Sequence, residues 1–94
     1  MDRPPAICFV DLTEYTRLTE EKGDDVASRL ATSLAALVED TSRQYGGRPI
    51  RWLGDGGMFH FKVLGHAVLA GLDMVEAAPN AGLPPMHIGI TLRR

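Results

Sequence analysis

Two aspartates are set where carboxylates can do chemistry. Asp11 follows an apolar run, Ala6-Ile7-Cys8-Phe9-Val10, and Asp55 lies within Gly54-Asp55-Gly56-Gly57. Convergent carboxylates beside a glycine-rich turn suit hard, oxygen-seeking cations such as Mg²⁺ or Mn²⁺. Mg²⁺ takes one or two protein carboxylates and completes its shell with water and phosphate oxygens. A pair of such ions activates an attacking oxygen and neutralises phosphate charge in an in-line displacement. Thr13 onward reads as a helix start, whose free N–H groups suit a phosphate. Gly56 and Gly57 lack side chains, so a bulky ligand can approach the backbone. Singly, each aspartate also has a plainer reading: turn chemistry for Gly-Asp-Gly, and a helix cap at a strand-to-helix junction.

The metal reading requires the two residues to meet, although they lie 44 positions apart. Ala6–Val10 is β-branched and aromatic enough for a buried strand, closed by Asp11. Thr13–Lys22 reads as a short polar helix or turn ended by Gly23. Asp24 or Asp25 then N-caps a long helix reaching about Tyr45. Val26, Leu30, Leu34, Leu37, Val38 and Tyr45 make its apolar stripe, and Gly46-Gly47 supplies a left-handed terminator. Arg48–Leu53 and Met58–Val63 read as strands of a hairpin joined through 54–57. Gly65–Ala78 reads as a second amphipathic helix with Val68, Leu69, Leu72 and Val75 inward. A loop over 79–85 leads to a last strand, Met86–Leu92. The order βαββαβ predicts an α+β, ferredoxin-like sandwich: a four-stranded antiparallel sheet, order 4-1-3-2, with helices on one face. In that order the end of the first strand lies beside the start of the third, and Asp11 and Asp55 share one sheet edge.

Composition narrows the function classes. Ninety-four residues make one small domain burying roughly two-thirds of its unfolded surface. Ten basic and twelve acidic residues leave a formal charge of −2, which gives no footprint for nucleic acid or an anionic membrane. No apolar run approaches the ~18 residues of a membrane span. The single cysteine, Cys8, fits a core role in a reducing compartment. These features predict a soluble, cytoplasmic protein. His60, His66 and His87 lack the spacing of a metal cluster. Trp52 reads as a core or interface aromatic, with base stacking the alternative, and Tyr15 as packing under the first turn.

Four blocks carry a family resemblance. Phe9-Val10-Asp11-Leu12-Thr13-Glu14-Tyr15-Thr16 resembles the strand-to-helix motif of class III adenylate and guanylate cyclases, F-x-D-I/L-x-G-F/Y-T. Gly46-Gly47-Arg48-Pro49-Ile50-Arg51-Trp52-Leu53-Gly54-Asp55-Gly56-Gly57-Met58-Phe59-His60-Phe61 is similar to the second block of that family. Ala67–Met74 looks like the helix that follows, and His87-Ile88-Gly89-Ile90 like the next strand. The blocks come in the family's order and cover nearly the whole chain.

The resemblance implies a two-metal Mg²⁺ or Mn²⁺ site on Asp11, Asp55 and the backbone carbonyl of Leu12. Thr13, Tyr15, Thr16, Gly54 and Gly56 would meet the nucleotide phosphates. Arg51 stands where adenylate cyclases carry a base-recognising lysine, and its planar fork is not equivalent to an ammonium. The implied substrate is a nucleoside triphosphate, ATP favoured over GTP, and the implied product a 3′,5′-cyclic nucleotide. The family builds its sites between two subunits, which implies a homodimer or association with another cyclase domain. Glu14 replaces the family's glycine. After Ile90 the family continues through a base-selecting aspartate and a transition-state asparagine and arginine, for which residues 91–94 offer no match. Residues 1–94 therefore read as a single truncated cyclase domain, the N-terminal half, with little or no turnover alone, because one missing donor of this kind costs about a hundredfold or more. The alternative is a non-catalytic dimerisation or regulatory module that docks onto a full-length cyclase. An RNA-binding domain is disfavoured, since Met58-Phe59-His60-Phe61-Lys62 lacks the glycines and basic lead of such a strand.

Overall fold

A computed structural model of the chain describes residues 5–12, 15–53 and 56–92. Along them run β1 (Ala6–Leu12), α1 (Tyr15–Lys22), α2 (Asp24–Gln44), β2 (Arg48–Leu53), β3 (Gly56–Phe61), α3 (Leu64–Ala77) and β4 (Met86–Leu92). The strands form one antiparallel sheet in the order β2-β3-β1-β4, the expected ferredoxin-like arrangement. The strand ends differ from expectation by a residue or two. β1 continues through Asp11 to Leu12, and β3 begins at Gly56 and stops at Phe61.

Alternation along β1 sorts the two sheet faces. Ala6, Cys8, Val10 and Leu12 are buried in the core with Leu34 and Val38 of α2 and Ala67, Ala70 and Met74 of α3. Across from them stand Phe61, Phe59 and Gly57 of β3 on one side, and Leu92, Ile90, Ile88 and Met86 of β4 on the other. The intervening residues, Ile7, Phe9 and Asp11, belong to the helix-free face, where Phe9 and Asp11 are exposed.

Two glycines shape the long helix. Gly23 (φ 89°) separates α1 from α2 and is itself the N-cap, with no side-chain cap hydrogen bond. Asp24 and Asp25 thus lie inside the first helical turn, contrary to the expected capping role. Their charge there complements the helix dipole without a bond to a free N–H. At the other end Gly46 is left-handed (φ 77°), its N–H donating to the Arg43 carbonyl (3.1 Å) while that of Gly47 donates to Ser42 (2.7 Å). This is a Schellman motif, which satisfies the last carbonyls and turns the chain into β2.

Helix α3 is rotated from its expected setting. Val68, Leu69, Leu72 and Val75, expected inward, are 42%, 49%, 61% and 49% exposed. Ala67, Ala70, Gly71 and Met74 face the sheet instead. The helix is apolar nearly all round, so spacing alone allows two stripes. The small residues win because they let the helix lie close to β4. A Cβ at Gly71 would meet Ile88 Cγ2 at 3.3 Å.

The two edge strands also differ. β2 carries Arg48, Pro49 and Arg51 with a register shift between Pro49 and Arg51, whereas β4 has neither a formally charged residue nor a proline. Among the described residues no helix is long and apolar enough to cross a membrane.

Two substitutions test the setting of α3 in urea unfolding. Met74→Ala should cost about 2–5 kcal/mol, whereas Leu72→Gln should change stability by less than about 0.5 kcal/mol. Equal losses at the two positions would mean that the outward stripe is buried after all.

Candidate metal and nucleotide site

The pairing register brings the candidate residues to one end of the sheet. Asp11 is directly opposite Gly56 of β3 and His87 of β4. Gly56 is the residue bonded to Asp55. Asp55 itself lies outside the described residues, as do Gly54 and Thr13. Tyr15 and Thr16 are the first two residues of α1. Leu12 has a register partner on β4 (Met86), while the β1–β3 pairing ends at Asp11. Its backbone therefore has no strand partner on the β3 side among the described residues.

Gly56 has a structural duty here. A Cβ at this position would stand 2.3 Å from the Val10 carbonyl oxygen and 3.2 Å from Asp11 Cα. Only glycine lets β3 press this closely against the peptide that presents Asp11. Gly57 is equally constrained on the helix side, where a Cβ would meet Trp52 Cε3 at 2.4 Å. Trp52 packs edge-on to Phe59 (6.3 Å between centroids, 74° between planes) and against the core, which settles it as a packing aromatic.

Arg51 is exposed opposite Met58, which in turn is opposite Phe9. It shares the helix-free face with Asp11 but lies two strands across, on the order of 10 Å. His87 was passed over by residue-type reasoning as a scattered histidine. Its position follows from register: with Met86, Ile88 and Ile90 turned inward, His87 faces the same side as Asp11. Side chains of directly opposite residues have Cβ atoms about 4.5–5.5 Å apart. His60 is half-buried opposite Ile7 and Arg48, and His66 is exposed near the start of α3.

The donor chemistry fits a hard cation. Asp11 offers an exposed carboxylate, and Leu12 a backbone oxygen next to it. Groups of three or more His, Cys, Asp or Glu residues able to hold a metal are absent among the described residues. A Mg²⁺ shell completed by water and phosphate needs fewer protein ligands than that. Cys8 belongs to the core, where burial pushes its thiol up to about 11 and keeps it protonated at neutral pH.

No protein-family model matches the chain. Its fold is similar to that of solved nucleotide cyclases over the part it covers. It superimposes on a solved guanylyl cyclase with a TM-score of 0.83 at 23% identity, covering 99% of this chain and 55% of that one. A bacterial light-regulated adenylyl cyclase gives a TM-score of 0.87 at 19% identity, again over 99% and 55%. In sequence the chain is 30% identical to an adenylate cyclase of Streptomyces coelicolor over 91 residues, 96% of this chain and 24% of the relative. In sequence and in fold alike, the chain is similar to adenylate and guanylate cyclases over the part it covers. It spans about a quarter of that curated relative and about half of the solved structures.

Gly56→Ala tests the close approach at Asp11. Forcing the strands apart should cost about 1–3 kcal/mol in urea unfolding and shift the amide resonances of Val10 and Asp11. An unchanged midpoint with unchanged spectra would remove this role from Gly56.

Proposed function

We propose that this chain supplies the metal-binding edge of a nucleotide cyclase site, acting on a nucleoside triphosphate, with ATP favoured. The observation that carries the proposal is Asp11: an exposed carboxylate on the helix-free face, opposite the residue next to Asp55, on a cyclase fold. Asp11, Asp55 and the Leu12 carbonyl would hold Mg²⁺ or Mn²⁺, which supplies charge neutralisation at the phosphates and activation of the attacking oxygen. Thr13, Tyr15, Thr16, Gly54 and Gly56 would meet the nucleotide phosphates. In the family reaction the substrate's 3′-oxygen bonds to its own α-phosphorus. The α–β anhydride bond breaks, pyrophosphate leaves, and the hydroxyl proton passes to a base or to solvent. Arg51 stands apart from Asp11 on the same face, in keeping with a purine contact made to a nucleotide held by a second chain. Base selection and transition-state contacts are for groups outside residues 1–94 to supply. A reducing, cytoplasmic setting suits the lone buried thiol.

Titration calorimetry with Mn²⁺ tests this reading. Binding should be measurable in the folded chain and weaken by at least about tenfold, ~1.4 kcal/mol, in Asp11→Ala and in Asp55→Ala. A folded sample that binds no Mn²⁺, or variants that bind it as well as the parent, would defeat the proposal.

A second reading is a docking module, and the outward stripe of α3 favours it. Val68, Leu72 and Val75 line an apolar groove with Ile88 and Ile90 of β4, beside a strand edge free of formal charge. Sedimentation should show self-association that Leu72→Glu abolishes. A monomer at high concentration would count against this reading while leaving the metal site untouched.

A further inference from the structure

A second cleft, of about 640 Å³, lies at the opposite end of the sheet, where α2 ends and α3 begins. Arg48, Lys62 and His66 line it with Gln44 and Tyr45, and among the described residues no acidic side chain does. Along β1 the distance is set by register: Asp11 pairs with Gly56 and Ala6 with Phe61, five residues away, or roughly 17 Å. The cleft is therefore separate from the Asp11 edge.

Its walls are fixed by bonds already made. The Tyr45 hydroxyl donates to the Asp73 carboxylate, tying the end of α2 to α3. That contact, together with burial and repulsion from Asp73, raises the tyrosine's pKa. The Schellman turn at Gly46 and Gly47 holds the adjoining backbone. Charge is partitioned across this tie. The cleft on its other side is lined by Asp40, Asp73 and Glu76. Among the described residues Arg48, Lys62 and His66 make no ion pair, whereas Arg43 pairs with Asp40 and Arg17 with Glu21. In a chain of net charge −2, Arg48, Lys62 and His66, without an ion pair among the described residues, converge on one cleft.

From this we infer that the Arg48–Lys62–His66 cleft binds a phosphate-bearing small molecule. Arg48 offers a planar fork, Lys62 a compact charge and His66 a ring N–H, which together match the several oxygens and multiple charge of a phosphate group. The Tyr45 ring and Val63 provide an apolar wall for the organic part. The volume lies within the range of small-ligand sites. Among the described residues the acidic side chains nearby line the other cleft, so a cation would be drawn there and an anion here. The inference does not depend on the cyclase reading.

The test is a ¹⁵N NMR titration of the 94-residue chain with pyrophosphate and with AMP, at constant ionic strength and without divalent metal. Saturable shifts should centre on Gly46, Lys62, Val63 and His66. The double substitution R48A/K62A should weaken the apparent affinity by about tenfold or more, while Asp11→Ala leaves it unchanged. Both substituted side chains are exposed, and an intact parent-like spectrum confirms that the variant is folded. Shifts centred on Asp11 and Gly56, equal affinity in the double variant, or shifts that never saturate would each overturn the inference. Loss of Mn²⁺ binding in Asp11→Ala with phosphate binding retained would separate this site from the metal edge.

Discussion

The strict alternation of β1 is the constraint on which the rest depends. As a central strand paired on both sides, it must send Ala6, Cys8, Val10 and Leu12 under the helices. The remaining residues then have no choice of face. A one-residue slip would drive Asp11 into the core, where an unpaired carboxylate costs several kcal/mol or changes its protonation instead. The half of β1 under the helices thus fixes the facing of Ile7, Phe9 and Asp11. The exposed carboxylate of Asp11 sits on the strand that is least free to move.

Much of this was legible before any coordinates. Five apolar residues ending in an aspartate, a long helix with a three-four stripe, and two glycine-rich turns led to the observed strand order. The first strand's partner at Asp11 followed from that topology. What remained hidden has physical reasons. The orientation of α3 was obscured because an all-round apolar helix carries no unique moment, and close packing then selects its small side. The start of α2 was misread because aspartate is favoured both as a cap and in the first turn, and Gly23 took the cap. His87 was overlooked because residue type says nothing about register; only the pairing of β4 with β1 puts it next to Asp11.

Glycine identity has different causes at different points of this short chain. Gly23 and Gly46 adopt left-handed backbone angles that other residues rarely adopt. Gly56 and Gly57 have no such angle, yet a Cβ would strike the Val10 carbonyl in one case and the Trp52 ring in the other. The first pair shapes where helices stop. The second pair lets β3 lie close enough to β1 and β2 for the Asp11 edge to form. Gly56 and Gly57, read from sequence as room for a ligand, are at least as much room for the protein's own backbone and side chains.

The unlike edges of the sheet carry a consequence for assembly. Strand addition at β2 meets Pro49, which has no N–H to offer, two arginines and an interrupted register. β4 presents none of these obstacles. Fibre growth by edge pairing needs two complementary open edges on every molecule, so that each addition leaves another acceptor behind. A sheet closed on one side has a single valence, and pairing there consumes it. Any sheet-to-sheet contact this chain makes through β4 is thereby self-terminating, and a small domain with an exposed apolar helix is kept from propagating into a filament.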